Sequence, residues 1–313
     1  MNKKIIIDSD MAFGSPNADV DDSLAILMAF ALELNVIGIN AVGGNVSADK
    51  ASRNIDKLLK RIGRERVIHS FSNAEPIDPY LWIHNRWDTS TEEKVERNTY
   101  PSLPDSINAI KKEIDSVSSP VTIVTIGPMT NIAMFLKTYP EYKERIESIY
   151  SMGGTISMPG VKNSPVEFNI KGDPEAAETV FSCGIPLWLF PLDVTKKKRI
   201  YPETIESWKN TDGIIKEFYD ASIKFMEHRA KRDGYSPAYA FYHDVMPIVA
   251  LCHPEFFVFS PCSISVELNN GPTRGVTVID RTKGDSRVAI DVDAEGLFSF
   301  VKETISNKYR GVL

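Results

Sequence analysis

Five aspartates lie close together near the start of the chain, where a short apolar run gives way to polar residues. They are Asp8, Asp10, Asp19, Asp21 and Asp22. Two carboxylates about 5 Å apart repel each other by roughly 3 kcal/mol at an effective dielectric constant of about 20, so a buried group of them needs a cation. An oxygen-only donor set without cysteine suits a hard ion, Ca²⁺ or Mg²⁺, rather than Zn²⁺. The same residues are compatible with a solvated acidic loop that leads into a helix N-terminus, where aspartate is favourable.

The elements around these aspartates alternate between strand-like and helix-like patterns. Residues 4–7 form a β-branched run that predicts a buried parallel strand, and residues 22–34 carry apolar side chains at helical spacing. A second strand is predicted at 36–42, and Ser47 can cap a helix over 48–62. Such alternation is typical of a parallel sheet with crossover helices. Further strands are predicted at 66–70, 121–126, 147–152 and 186–190, and further helices at 106–117, 131–138, 173–182, 211–231, 244–252 and 294–305.

The remaining segments depart from this alternation in two places. Residues 71–104 contain four prolines and no clean periodicity, and a long irregular loop in an α/β domain is usually functional or mobile. Residues 256–268, 276–280 and 288–291 have a more alternating pattern, which predicts a small antiparallel appendage near the C-terminus. Because no repeat or low-complexity linker interrupts the chain, we expect a single α/β domain over residues 1–313. Its main part would be an open, mainly parallel sheet with flanking helices.

Composition excludes several classes of protein. The chain has 36 Lys and Arg against 42 Asp and Glu, a net charge of −6, which argues against binding nucleic acid or an anionic membrane surface. No apolar stretch is long enough for a membrane span or a secretion signal, so we expect a cytoplasmic protein. The three cysteines are far apart and provide neither a disulfide framework nor a metal-binding pair.

Other side chains capable of chemistry follow the later predicted strands. Asn45 follows the second strand, Glu167 and Asn169 follow the strand at 147–152, and His243-Asp244 opens a later helix. Ligands of open parallel sheets bind at the carboxyl ends of the strands, so we expect these side chains to converge with the aspartates. Taken singly, each motif also has an ordinary explanation, either a surface loop or a helix cap.

Two other enzyme classes match the sequence less well. Asp8-Ser9-Asp10 after a strand resembles the nucleophile strand of haloacid-dehalogenase-type phosphatases, but Ala12 stands where those enzymes have Thr or Val. The doublet Asp21-Asp22 has no place in that scheme. The chain also lacks the glycine-rich nucleotide-binding fingerprints and the GxSxG turn of serine hydrolases.

Taken together and in order, the motifs resemble the inosine-uridine-preferring nucleoside hydrolase family. That family opens with a strand and a DxDPGxDD-type motif, which Asp8, Asp10, Asp21 and Asp22 resemble. The matches run from residue 5 to about residue 281. The other matching motifs are Val42-Gly43-Gly44-Asn45, Gly127-Pro128-Met129-Thr130-Asn131-Ile132-Ala133, Met152-Gly153-Gly154, Val166-Glu167-Phe168-Asn169, Asp173-Pro174-Glu175-Ala176-Ala177, His243-Asp244 and Gly271-Pro272-Thr273-Arg274-Gly275.

The resemblance implies an activity and a role for each motif. The family hydrolyses the N-glycosidic bond of ribonucleosides to ribose and a free base. By resemblance, Asp10 acts as general base towards a water activated by Ca²⁺, and His243 acts on the leaving base. Asp8 would orient the metal ligands. The implied Ca²⁺ ligands are Asp10, Asp22, Asp244 and the backbone carbonyl of Ile126, and the implied ribose ligands are Asp21, Asn45, Asn163, Glu167 and Asn169. The resemblance also implies that the protein binds a small-molecule ribonucleoside. It further implies assembly into a homodimer or homotetramer.

The chain departs from the family's pattern at two loops. Residues 11–20 separate Asp10 from Asp21, whereas the family's motif has a much shorter link. His84 and Trp87 stand where the family has an HGxxG loop, and Trp87 would either stack on a substrate base or pack the loop. These departures leave two alternatives open: a nucleoside-binding protein that turns over poorly, and a hydrolase of another N-riboside.

Overall fold

The structure is a computed structural model that describes residues 3–70, 103–160 and 164–311. Within these residues the chain forms one nine-stranded sheet in the order β3-β2-β1-β4-β5-β6-β9-β7-β8. The predicted site residues His84, Trp87 and Asn163 lie outside the described residues. The strands are β1 (Lys4–Ser9), β2 (Asn35–Ala41), β3 (Ile68–Ser70), β4 (Val121–Thr125), β5 (Ile146–Met152), β6 (Leu187–Phe190), β7 (Phe257–Val266), β8 (Thr277–Asp280) and β9 (Ser286–Val292).

Strand direction divides the sheet into two parts. The pairs from β3 across to β9 are parallel. Strand β7 runs antiparallel to both of its neighbours, β9 and β8. This arrangement confirms the predicted α/β fold with a mainly parallel sheet and an antiparallel part near the C-terminus.

Helices cover both faces of the sheet, which explains the continuous apolar run in β1. Ile5, Ile6 and Ile7 are all fully buried, as expected for a strand enclosed on both faces. Ile5 and Ile7 belong to the larger hydrophobic core, and Ile6 belongs to a second core on the opposite face. The helices are α1 (Asp21–Ala31), α2 (Ala48–Arg61), α3 (Leu103–Asp115), α4 (Thr130–Thr138), α5 (Phe168–Gly172), α6 (Pro174–Phe181), α7 (Leu192–Thr195), α8 (Gly213–Asp233), α9 (Val245–Ala250) and α10 (Ala294–Tyr309).

Different helices contribute side chains to the two cores. The larger core takes apolar side chains from α1, α2, α8, α9 and α10, and the second core takes them from α3, α4 and α6. None of the helices among the described residues is long and apolar enough to cross a membrane.

Local sequence signals explain most helix starts but not every end. Ser47 caps α2 as predicted, because its hydroxyl accepts a hydrogen bond from the Lys50 N–H at 3.4 Å. The prediction that the first helix continues to residue 34 was wrong. Helix α1 ends at Ala31, and Glu33 adopts a left-handed backbone conformation with φ of 56°, which a continuing α-helix does not allow. The short helices α5 and α7 were not predicted, since fewer than two turns carry no clear periodicity.

Candidate active site

Three aspartates from two helix starts form a buried cluster at the carboxyl edge of the sheet. Asp21 and Asp22 begin α1, and Asp244 immediately precedes α9. All three side chains are buried, and one carboxylate oxygen of each lies within 4.8 Å of those of the other two. Helices α1 and α9 pack against each other, so their contact brings together aspartates more than 200 residues apart in sequence.

The electrostatics of this cluster favour a cation. Burial raises the pKa of Asp244 well above its usual range, and the charges of Asp21, Asp22, Asp10 and Asp19 raise it further. Burial followed by repulsion from Asp10 raises the pKa of Asp22 in the same way. Burial and the charges of Asp19 and Asp22 raise the pKa of Asp21. A divalent cation among these oxygens would remove the repulsion that opposes their ionisation.

Asp10 lies beside the cluster and is held by the loop after β2. Its Oδ2 accepts a hydrogen bond from the Asn45 N–H at 2.5 Å. The Asn45 Nδ2 lies 3.5 Å from Asp10 Oδ1 and 3.4 Å from Asp22 Oδ2, so one amide contacts both carboxylates. Gly44 makes this approach possible, because a Cβ at that position would lie 2.0 Å from Asp10 Oδ2. Ser9 adds a further contact by donating to Asp22 Oδ1 at 2.6 Å.

Asp8 lies near the carboxyl end of β1, two residues before Asp10, and has a different environment. Its Oδ1 accepts a hydrogen bond at 2.7 Å from the side chain of Asn131, which also donates to the Ala41 carbonyl at 2.9 Å. Burial raises the pKa of Asp8 to about 7, and the Asn131 hydrogen bond partly opposes the shift. The backbone carbonyl of Asp8 accepts from the Ile126 N–H at 2.9 Å, which ties β1 to the segment that follows β4.

Glu167 and Asn169 are buried rather than exposed on a surface loop. Glu167 caps α5 by accepting hydrogen bonds from the N–H groups of Asn169 and Ile170, and it also accepts one from Gly154. Burial raises its pKa, and these N–H groups oppose the shift. The side chain of Asn169 donates to the carbonyls of Ile126 and Met152, each at 3.3 Å. These contacts place the Ile126 carbonyl, a predicted metal ligand, next to a predicted ribose ligand.

His243 lies against the cluster through its backbone and is oriented through its ring. The His243 N–H donates to Asp21 Oδ2 at 2.9 Å, and ring Nδ1 lies 2.8 Å from Thr195 Oγ1. Sequence reasoning did not single out Thr195, which ends the short helix α7 after β6. Its position just beyond the carboxyl end of a strand was the available signal.

The first part of the long segment at residues 11–20 folds away from the cluster, whereas Asp19 near its end lies close enough for its charge to raise the pKa of Asp21. Asn54 of α2 donates to the Met11 carbonyl at 3.1 Å, and the Phe13 ring lies 6.3 Å from the Phe218 ring of α8. Gly14 and Asn17 have φ angles of 96° and 53°, which turn the chain back towards α1. The extra residues therefore pack against α2 and α8, while Asp21 and Asp22 keep their places at the start of α1.

Comparison with known proteins shows the family to which the chain belongs. The family model described as inosine-uridine preferring nucleoside hydrolase matches residues 5–299. The pyrimidine-specific ribonucleoside hydrolase RihA of Citrobacter koseri is 32% identical over 300 residues, which cover 91% of this chain and 95% of that protein.

Solved structures of nucleoside hydrolases have the same fold as this chain. A plant nucleoside hydrolase, PpNRh1, superimposes with a TM-score of 0.81 at 25% identity, covering 97% of this chain and 99% of the other. The purine-preferring ribonucleoside hydrolase from Gardnerella vaginalis gives a TM-score of 0.79 at 25% identity, covering 97% and 98%. The resemblance indicated by the motifs is thus confirmed over nearly the whole chain, and the protein belongs to the inosine-uridine preferring nucleoside hydrolase family.

Proposed function

We propose that the protein hydrolyses the N-glycosidic bond of ribonucleosides to ribose and free base in a Ca²⁺-dependent reaction, with Asp10 as the general base. The observation that carries this proposal is a buried group of four carboxylates. Oxygens of Asp21, Asp22 and Asp244 lie within 4.8 Å of one another, and Asp10 shares the Asn45 side-chain amide with Asp22. Membership in a nucleoside hydrolase family supports the class of reaction.

The donor set fits a hard divalent ion. Asp10, Asp22, Asp244 and the Ile126 carbonyl would hold Ca²⁺, since all four groups offer oxygen and the carboxylates are buried. When bound, the ion would supply positive charge that stabilises the carboxylates and lowers the pKa of a neighbouring water. Asp8, two residues before Asp10, would support this arrangement, because its backbone carbonyl accepts a hydrogen bond from the Ile126 N–H.

Asp10 would take a proton from the attacking water. Its Oδ2 is fixed by the Asn45 N–H and its Oδ1 lies near the Asn45 amide, so the carboxylate has a defined orientation beside Asp22. A general base with a fixed orientation contributes about 10²- to 10⁴-fold to the rate of such a step.

The remaining polar groups would bind the sugar and assist departure of the base. Asp21, Asn45, Glu167 and Asn169 would bind the ribose hydroxyls, together with Asn163. A site built for hydroxyls discriminates against deoxyribose, because buried polar groups would be left without partners. His243 would protonate or polarise the leaving base, while His84 and Trp87 would contact it.

We propose no single preferred base, because the relatives differ in this respect. RihA of Citrobacter koseri is pyrimidine-specific by name, whereas the enzyme from Gardnerella vaginalis is purine-preferring. The proposal therefore concerns the ribose and the glycosidic bond.

Ribose release from inosine, adenosine, guanosine, uridine and cytidine, measured with and without a chelator, tests the proposal. We expect chelator-sensitive release from at least one nucleoside and a loss of about 10²-fold or more in Asp10→Asn. Asp56→Asn is the matched control, because Asp56 lies on α2 and pairs with Lys60. Full activity in Asp10→Asn would contradict the assigned base. Nucleosides recovered intact from a protein that they stabilise would support a binding protein instead.

A further inference from the structure

Four polar side chains form a row near the carboxyl ends of the neighbouring strands β2, β1, β4 and β5. Asn40 of β2 pairs in register with Asp8 of β1, Asp8 pairs with Thr125 of β4, and Thr125 pairs with Ser151 of β5. Paired residues of neighbouring strands point to the same face of a sheet. All four side chains are fully buried. We call these four residues the polar row.

The polar row is sharply bounded by apolar residues. Two positions closer to the amino ends of the strands, the residues in register are Gly38, Ile6, Ile123, Ile149 and Leu187. Beyond Ser151, the next residue in register is the fully buried Leu189 of β6. Polar partners for the row come from the helices above it: Asn40 donates to Glu113 of α3, and Asp8 accepts from Asn131 of α4.

The row contains most of the unsatisfied buried oxygens found in the described ranges. Within 3–70, 103–160 and 164–311, seven buried side-chain oxygens lack a hydrogen-bond partner. Four of the seven belong to the polar row: Asn40 Oδ1, Asp8 Oδ2, Thr125 Oγ1 and Ser151 Oγ. An unsatisfied buried polar group costs about 1–3 kcal/mol, and native proteins meet this need with internal water.

The spacing of the row matches bridging by water. The backbones of neighbouring strands lie about 4.8 Å apart, and the side chains of paired residues extend from them on the same face. A water molecule with hydrogen bonds of about 2.8 Å can join two oxygens that are up to roughly 5.6 Å apart. A water between adjacent members would therefore be within reach of polar groups on two neighbouring strands.

Glu113 of α3 closes the row at its β2 end. The Asn40 side chain donates to Glu113 Oε2 at 3.0 Å, and Glu113 Oε1 is a fifth oxygen without a partner. Gly38 provides the space, because a Cβ there would lie 2.1 Å from the Glu113 carboxyl carbon. Burial raises the pKa of Glu113 to about 8, the Asn40 hydrogen bond opposes the shift and the Asp8 charge adds to it. A carboxyl group that keeps its proton at neutral pH can donate to a neighbouring water.

The row is connected to the proposed metal site through Asp8. In the Asp8 side chain, Oδ1 is fixed by Asn131, whereas Oδ2 has no hydrogen-bond partner. Its backbone carbonyl bonds to Ile126, and Asp10 follows two residues later. A shift of Asp8 would therefore be passed to Ile126 through the backbone hydrogen bond and to Asp10 through the chain.

We propose that a file of ordered water molecules fills the polar row between Asn40 and Ser151 and fixes the Asp8 carboxyl, so that Thr125 and Glu113 are positioning residues for the metal site. The water file stands on the unsatisfied oxygens alone, whereas its effect on the metal site rests on the proposed function. Partners one step removed from a metal ligand typically change affinity by about 10- to 100-fold when lost.

The test compares two identical substitutions in strand β4 of the full chain. Thr125→Val removes a hydroxyl from the row at nearly constant volume. Thr122→Val makes the same change on the opposite face, where the Thr122 hydroxyl is also buried and lies 3.4 Å from Ser148 Oγ. We expect Ca²⁺ affinity, measured by calorimetric titration, to fall about 10- to 100-fold in Thr125→Val and less than about twofold in Thr122→Val. Thr125→Ser should restore the affinity, because it restores the hydroxyl.

A high-resolution crystal structure provides the second readout. Ordered waters within hydrogen-bonding distance of Asp8 Oδ2 and Thr125 Oγ1 support the file, and a dry row overturns it. Wild-type affinity in Thr125→Val overturns the positioning role. If Thr125→Val does not fold, Ser151→Ala is titrated instead with the same two expectations. If the wild-type chain binds no Ca²⁺, the proposed function fails, and the water file is then judged by the crystal structure alone.

Discussion

The amino and carboxyl ends of the central strands are built on opposite principles. At the amino end, Ile6, Ile123 and Ile149 form a fully buried apolar row, so burial by itself stabilises the fold. At the carboxyl end, β1 and β4 carry Asp8 and Thr125, which are equally buried. Removing these polar groups from water costs free energy. Within a few residues along each strand, the side chains change from apolar groups whose burial stabilises the protein to polar groups whose burial costs free energy.

This difference indicates that the site lowers the stability of the metal-free fold. The raised pKa values of Asp21, Asp22 and Asp244 mean that folding disfavours their ionised forms. The apolar half of the sheet compensates for that cost. Three substitutions separate the two contributions.

The largest effect on stability is expected in the apolar row. Ile123→Ala removes three buried carbons from the second core, where the native side chain is fully buried. We expect the free energy of unfolding, measured with denaturant, to fall by about 2–5 kcal/mol. Ca²⁺ affinity should stay within about twofold of wild type. A parallel loss of affinity would show that the two ends of the strands are not separate.

An intermediate effect of opposite sign is expected in the carboxylate cluster. Asp22→Asn keeps an acceptor for the Ser9 hydroxyl but removes a charge that repels Asp10 and Asp244. At alkaline pH and without Ca²⁺, the variant should therefore be more stable than wild type by roughly 1–3 kcal/mol. Added Ca²⁺ should reverse the order of the melting temperatures. A variant that is less stable than wild type in the chelator would contradict the repulsion described here.

The third effect develops gradually over several pH units and concerns the pH dependence contributed by Glu113. Its pKa is raised from 4.5 to about 8 in the folded state, so the folded protein holds this proton when the unfolded chain has lost it. Between those pH values the free energy of unfolding should fall as pH rises, by about 1.4 kcal/mol per pH unit from this group. Glu113→Gln should lack that contribution, while the slope from Asp8 remains in both proteins.

Unfolding of wild type and Glu113→Gln at several pH values across the window measures this difference directly. Parallel pH profiles for the two proteins would show that Glu113 is ionised in the folded state.

Much of the fold could be predicted because the signals were local. The β-branched run before Asp8, the helical spacing after Asp22 and the cap at Ser47 each depend on a few neighbouring residues. The end of α1 could not be predicted in this way, since the left-handed backbone at Glu33 leaves no sign in the residue types.

The candidate site could be predicted only in part from the sequence, for a related reason. The rule that ligands bind at the carboxyl ends of strands points to Asp22, His243 and Asp244, and the structure does bring these residues close together. Their roles remain predictions. Glu113 gave no signal, because an acidic residue in an amphipathic helix is normally exposed, and its burial depends on Gly38 in another element.

The fit between Gly38 and Glu113 constrains how this sequence can change. The carboxyl group occupies the volume that any side chain at position 38 would need. Replacing the glycine alone would force the acid out of the interior, and shortening the acid alone would leave a hole beside Asn40. Neither step is neutral, so the two positions form an epistatic pair: a redesign or an evolutionary drift that alters one has to cross a less stable intermediate before the other can follow.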